Sequence, residues 1–393
     1  MADYEVLKQR IFETVEKYHR ELIAFNDDLA DNPEVSSKEF RSSQKAVELL
    51  TAHGFRCEYP FDGIPTAFKA AYGPGGHKHK VAILTEYDAL PGVGHACGHC
   101  VSCSISLLAG IALMDHQDEL DCDVHVIGTP NEEEDGAKCQ MVDDGIFNDY
   151  DMAIMIHLYD QNLTHCTLMA LDSRLFTFHG KAAHGATAPW DGVNALNAAQ
   201  LFVHAVDCYR QHVTPDVRMH GIYRNGGAAP NVVPESASYE LYTRSLSRPY
   251  LTELNERVLK MAEGACLMTG ATYEWEPTAA PYDNLVVNPT GTQAIQEVFD
   301  ELGIEVNGDA GKIFGSSDIG NVSFVCPAFH PTLQIADKGI AIHTRGFEAE
   351  VRSERGHKAI ADGAKVIALD IAKIFTDDER IRKMKEDFEN GRK

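Results

Sequence analysis

Between residues 4 and 30 the apolar side chains Val6, Leu7, Ile11, Phe12, Val15, Leu22 and Ile23 recur at helical spacing, which predicts an amphipathic helix. A second such pattern covers residues 42–52 and stops ahead of Gly54. Apolar runs at 67–72, 81–84, 123–128 and 152–157 read as strands, and helical stretches at 101–114 and 137–145 lie between them. Alternation of this kind predicts an α/β sheet with a substantial parallel component.

Near Asp172 the pattern changes. A strand at 175–180, a helix at 193–212, strands at 221–226 and 236–246, a helix at 251–269 and a strand at 272–275 give the order β-α-β-β-α-β of a ferredoxin-like layer. After a Pro- and Asn-containing stretch at 276–289, helical patterns return at 290–302 and 356–375. The small layer is therefore expected as an insertion at 174–283, with one larger domain assembled from 1–173 and 284–393.

A chain of 393 residues is long enough for two such domains, and its 44% apolar and 24% charged content is that of a folded globular protein. Thirty-five basic against 59 acidic residues leave a net charge of −24, which repels phosphate backbones and anionic lipid headgroups. Nucleic-acid and membrane partners are disfavoured on that ground, and a small-molecule substrate is expected instead. No run is read as approaching the ~20 apolar residues of a membrane span, and the first residues form a charged amphipathic segment, so a cytoplasmic location is expected. Of the ten cysteines, most are expected to be reduced and buried; only those at 97–103 cluster in a way that suggests chemistry.

That cluster lies in GVGHACGHC at 92–100, where Cys97 and His99 stand two residues apart among glycines that allow the backbone close to an ion. Glu132, Glu133 and Glu134 follow the 123–128 strand in TPNEEEDGAK, His157 ends the next predicted strand, and His343 follows a short apolar run in KGIAIHTRGFE. Each alone is ordinary: a packed cysteine, a satisfied histidine, a solvated acidic run. Together, Cys97, His99, Glu133, His157 and His343 supply one thiolate, three imidazoles and a carboxylate, a donor set suited to zinc or manganese rather than calcium or magnesium. The sequence contains no GxGxxG after the first strand, no GxxxxGK[ST], no HExxH and no GxSxG elbow, and GSSDIG at 315–320 reads as a loop near the site.

The combined pattern resembles the dinuclear metallopeptidase and amidohydrolase family of aminoacylase and succinyl-diaminopimelate desuccinylase, in the branch of auxin-conjugate hydrolases and p-aminobenzoyl-glutamate hydrolases. Seven ordered blocks carry the resemblance: DLADNPEVSSKEF at 28–40, EYDALPGVGHACGH at 86–99, GTPNEEEDGAK at 128–138, GKAAHGATAPWDGVNAL at 180–196, GGAAPNVVPE at 226–235, GSSDIGNVSFVCP at 315–327 and IHT at 342–344. It implies a mixed-sheet α/β/α metallopeptidase domain with an inserted ferredoxin-like lid and dimerisation domain, working as a homodimer. It also implies that Cys97, His99, Glu133, His157 and His343 hold one or two divalent Mn or Zn ions, that Glu132 is the general acid/base, and that Asp88 orients a ligand. From the insertion, His184 would donate to the developing oxyanion and Asn231 would position substrate. Arg244, at the end of its own predicted strand, is read from the sequence as a partner for a substrate carboxylate or as a member of a surface ion pair.

The implied reaction is hydrolysis of the C–N bond of a small N-acyl or N-aroyl amino acid or dipeptide-like compound by a metal-activated water, with Glu132 as base. Two alternatives stand beside it: hydrolytic deamination of an electron-poor aromatic amine, and a catalytically silent binding protein of the same fold. Four positions depart from the family pattern. Cys100 stands where relatives carry Asp or Asn, Glu134 and Asp135 replace residues that are often glycine, and Glu86 occupies a position that is a histidine ligand in other branches.

Overall fold

The computed structural model describes residues 4–391 and divides into two compact units, residues 1–167 with 285–393 and residues 168–284. In the first unit the predicted opening helix is α1 (Tyr4–Asp31), followed by α2 (Phe40–Ala52), β1 (Arg56–Glu58), β2 (Phe68–Ala71) and β3 (His79–Thr85). Leu7, Ile11, Val15 and Leu22 of α1 are fully buried while Val6 is 45% exposed, so the stripe faces one side. Next come α3 (His99–Leu113), β4 (Cys122–Gly128), α4 (Ala137–Asp143), β5 (Met152–Ile154) and β6 (His157–Tyr159).

Every residue of α3 is buried, and the helix packs against α1. The segment His99–Leu120 has the length and apolar character to cross a membrane, which corrects the expectation that no run approaches it, but most of it is buried inside the protein. A helix apolar on all sides and enclosed by its own chain is a core helix.

The second unit is β7 (Ala170–His179), α5 (Ala195–Tyr209), β8 (Arg218–Asn225), β9 (Ser236–Ser245), α6 (Arg248–Thr269) and β10 (Thr272–Pro277). Its strands form one antiparallel sheet in the order β10-β7-β9-β8, with the β-α-β-β-α-β connectivity that the sequence predicts. Its own core joins Phe176 and Phe178 of β7 to Phe202 of α5 and to Leu251, Leu254 and Val258 of α6.

The chain returns to the first unit with α7 (Pro289–Leu302), β11 (Ala328–Phe329), β12 (Thr332–Gln334), α8 (Glu354–Phe375) and α9 (Asp378–Gly391). Asn288 starts α7 by accepting from the backbone of Gly291, with Pro289 at the first helical position, where a missing N–H costs nothing. The main sheet runs β1-β2-β4-β3-β5-β11; β3, β4, β5 and β11 are parallel, and β1 and β2 add antiparallel edge strands. This is the mixed α/β sheet expected, with α8 packed on α3.

The predicted strand 152–157 is in fact two. β5 pairs with β3 and β11, whereas β6 pairs with β12 in a separate two-stranded sheet. Between β11 and β12 the partner segment carries Pro331, which offers no N–H, and there the ladder reduces to single bonds such as His157 N to Pro331 O at 3.1 Å. His157 therefore opens a strand rather than closing one.

Candidate metal centre

The site forms at the carboxyl edge of the parallel strands, where open α/β sheets place their ligands. Glu86 and Asp88 follow β3, Glu132 and Glu133 follow β4, and His157 begins β6. His99 is the first residue of α3, reached through Gly98 at φ +87°; a Cβ there would also come within 2.9 Å of Leu158 Cβ. The loop of His343 is tied to the same place by a bond from its backbone N to Ala96 O at 2.9 Å.

Hydrogen bonds fix which ring nitrogens point inward. His99 Nδ1 donates to Asp88, 3.0 Å from both the carboxylate Oδ1 and the carbonyl oxygen, leaving Nε2 to face the site. His157 Nδ1 donates to the Leu158 carbonyl at 2.9 Å, and its Nε2 lies 3.3 Å from Cys97 Sγ. His343 Nε2 lies 3.5 Å from Glu133 Oε2, and His343 is about half exposed while the other donors are buried or nearly so.

Cys97, His99 and His157 form one group of donor atoms all within 4.8 Å of one another; Cys97, Glu133 and His343 form a second, and His99, Glu132 and Glu133 a third. Among the described residues, His99 Nε2 and Glu133 Oε1 are buried without a hydrogen-bond partner. Buried polar atoms are seldom left so. Thiolate, imidazole and carboxylate atoms converging around two such atoms fit one or two divalent transition-metal ions.

The local charges follow from the same packing. Burial would strip His99 of its proton, but Cys97, Asp88 and Glu86 around it outweigh that and push its pKa well up. Asp88 is held at about 2, because His99 and three donated hydrogen bonds overcome the cost of burial. Burial together with the charge on His99 lowers His157 to about 4, so it is a neutral imidazole with its lone pair toward Cys97. Glu132 is pushed well above the usual carboxylate range by burial and then by Glu86, Glu133 and Asp318, whereas Glu133 is lowered by His343 and His99 against its own burial. Two adjacent glutamates are thus shifted in opposite directions.

Three residues in the neighbourhood escaped sequence reasoning. Lys138 and Asp318 form a buried cluster with Glu86, which had registered only as a departure from the family pattern. His330 is buried with Nδ1 3.3 Å from Cys166 Sγ and its ring 5.3 Å from that of His157. AFHPTLQ and AKCQ offer no spacing signal for His330 or Lys138, and GSSDIG reads as a loop near the site without singling out Asp318; only the folded chain joins positions so far apart.

The remaining sequence candidates lie in the second unit. His184 is exposed, and its Nδ1 accepts from the backbone N of Ala186 at 3.2 Å and of Thr187 at 3.3 Å, which leaves the proton on Nε2 as a donor. The Asn231 loop is joined to it by Gly185 N donating to Asn231 O at 2.8 Å. Arg244 is not beside them: it sits near the far end of β9, about 27 Å along the strand from Ser236, which pairs with His179 just ahead of the His184 loop.

Residues 62–362 match the Peptidase family M20/M25/M40. The chain is 32% identical to the Xaa-Arg dipeptidase of Mus musculus over 94% of its own length and 89% of that protein's. It is 26% identical to a chain of the p-aminobenzoyl-glutamate hydrolase of Escherichia coli (strain K12), over 89% and 88%. Among solved structures, the fold is shared with the YXEP protein of Bacillus subtilis, a dinuclear metal binding peptidase from the M20 family (TM-score 0.71, 19% identity, 92% of this chain and 99% of that one). It is shared too with the aminobenzoyl-glutamate utilization protein of Klebsiella pneumoniae (TM-score 0.73, 20% identity, 92% and 97%).

Proposed function

The chain belongs to the peptidase family M20/M25/M40 and is a hydrolase of the peptidase and amidohydrolase type; from that premise we propose that Cys97, His99, Glu133, His157 and His343 hold one or two Mn or Zn ions. The bond cleaved is the amide C–N bond of small N-acyl or N-aroyl amino acids or dipeptides. Similarity to a Xaa-Arg dipeptidase across nearly the whole chain favours the dipeptide arm of that class. The observation that supports this reading is the pair of inward-facing imidazole nitrogens beside a thiol and a carboxylate, with His99 Nε2 and Glu133 Oε1 lacking partners among the described residues.

When bound, the ions polarise the scissile carbonyl and acidify the attacking water. Glu132 accepts the proton of that water and returns it to the leaving nitrogen, a task suited to a carboxyl whose pKa burial and neighbouring acids have raised. Asp88 keeps His99 in the tautomer that turns Nε2 to the centre. His184, with its proton on Nε2, offers a donor to the developing oxyanion, and Asn231, in the loop joined to it, positions substrate. We assign the protein to homodimers in which the second unit is the lid.

The test is product release from a panel of dipeptides and N-acyl amino acids, assayed with manganese, with zinc and after chelation. Chelator-sensitive release of an amino acid is expected. Release of ammonia from aromatic amines instead, or turnover indifferent to chelation, would overturn the assignment.

A further inference from the structure

Lys138 is fully buried, and its ammonium is 2.6 Å from Glu86 Oε1 and 2.6 Å from Asp318 Oδ1. Its backbone N also donates to Asp318 Oδ2 at 3.1 Å, so that carboxylate is gripped at both oxygens by one residue. Glu86 and Asp318 are themselves fully buried, and the second oxygen of Glu86 lies 3.3 Å from His99 Nε2. Oxygens of Glu86, Glu132 and Asp318 lie within 4.8 Å of one another. Glu132 thus belongs to two groups at once, this one and the group it shares with His99 and Glu133.

Three carboxylates at that separation, out of water, require a cation. Without one, they are a divalent-ion site of hard oxygen donors continuous with the thiolate and imidazole donors next door. We infer that Lys138 is a built-in cation of the catalytic centre: its ammonium closes the Glu86–Glu132–Asp318 cluster to metal, confines the divalent ions to the Cys97 side, and reserves Glu132 for proton transfer. Lys138 touches neither substrate nor metal in this role; it is a positioning residue acting through Glu86 and Asp318. The inference rests on the reading of Glu132 as the general base.

One ordinary explanation competes. A buried ion pair can simply tie the end of β3, α4 and the 318 loop together, and such ties are replaceable by neutral groups of similar volume. A positioning role is not replaceable in that way.

The experiment counts manganese per chain in the purified wild type and in Lys138→Met, by elemental analysis and by the manganese spin-resonance signal, after equilibration in micromolar Mn(II). The expected result is one manganese per chain more in Lys138→Met than in the wild type. A wild-type count in a Lys138→Met protein with wild-type circular dichroism overturns the inference. The count does not depend on turnover, so it still reports on Lys138 if Glu132→Gln shows that Glu132 is not the base.

Where Lys138→Met does not accumulate folded, the charge-neutral exchange Lys138→Met with Asp318→Asn takes its place. In that variant kcat is expected to fall at least about tenfold with KM changed by less than about threefold. A kcat within about threefold of the wild type overturns the inference.

Discussion

Asp88 holds His99 with one carboxylate oxygen and the glutamate loop with the other: Oδ1 accepts from His99 Nδ1 at 3.0 Å, while Oδ2 accepts from the Glu133 backbone N at 3.0 Å and from the Ser36 hydroxyl at 2.7 Å. One buried carboxylate thereby fixes the direction of a histidine and the height of the segment that carries Glu132 and Glu133. Replacing Asp88 by Ala removes both restraints at once. Metal affinity, read by competition with a chromophoric chelator, is expected to weaken by about 10–100-fold. Unchanged affinity would mean that the backbone carbonyl of residue 88 and packing suffice to hold the His99 ring.

Glu132 and Glu133 are neighbours in sequence with opposite tendencies, the first raised by burial and the second lowered by His343 and His99. Glu132→Gln keeps volume and hydrogen-bonding capacity but removes the proton acceptor. Turnover is expected to drop by about 10²–10⁴-fold, the usual share of general acid–base catalysis, while metal content per chain stays at the wild-type value. Loss of metal in this variant would place Glu132 among the ligands instead.

Removing the ions should destabilise the first unit, because a ligand that binds only the folded state adds RT ln(1 + [L]/Kd) to stability. At a free metal concentration of about 100 times Kd this is about 2.7 kcal/mol, lost on chelation. Differential scanning calorimetry with and without EDTA should show the transition of the protein move down on chelation and return when manganese is added back. A melting profile indifferent to both would contradict a site built from Cys97, His99, Glu133, His157 and His343.

Much of this arrangement is readable before folding because its parts are local. The stripe of Leu7, Ile11, Val15 and Leu22 gives α1, the β-α-β-β-α-β order gives the second unit, and the short spacing of Cys97 and His99 marks a candidate ion-binding loop. Lys138 and Asp318 were not readable, since 180 residues separate them and neither sits in a pattern that requires a partner. The break at residues 155–156 was hidden for a related reason: it is imposed by Pro331 on the neighbouring segment, not by the apolar run itself. Helix α9 was missed because its stripe is narrow, with only Ile381 and Met384 buried.

Asp370 is a conflict between pattern and chemistry: it lies mid-helix on the buried face of α8, and among the described residues neither carboxylate oxygen has a hydrogen-bond partner. Burial pushes its pKa well above the ordinary value, with Arg380 and Lys373 only partly offsetting. An unfolded aspartate titrates near about 3.9. Between that pH and the raised native value the folded state holds a proton that the unfolded state has released, so stability falls as pH rises across the window. Asp370→Leu removes both the carboxyl and this slope. Thermal melts are expected to show the variant more stable than the wild type at pH 8, by about 1–3 kcal/mol for the relieved polar group, with the advantage shrinking as pH is lowered toward 4. An advantage that stays constant from pH 4 to pH 8 would show that ionisation of Asp370 contributes nothing and that the gain comes from apolar packing.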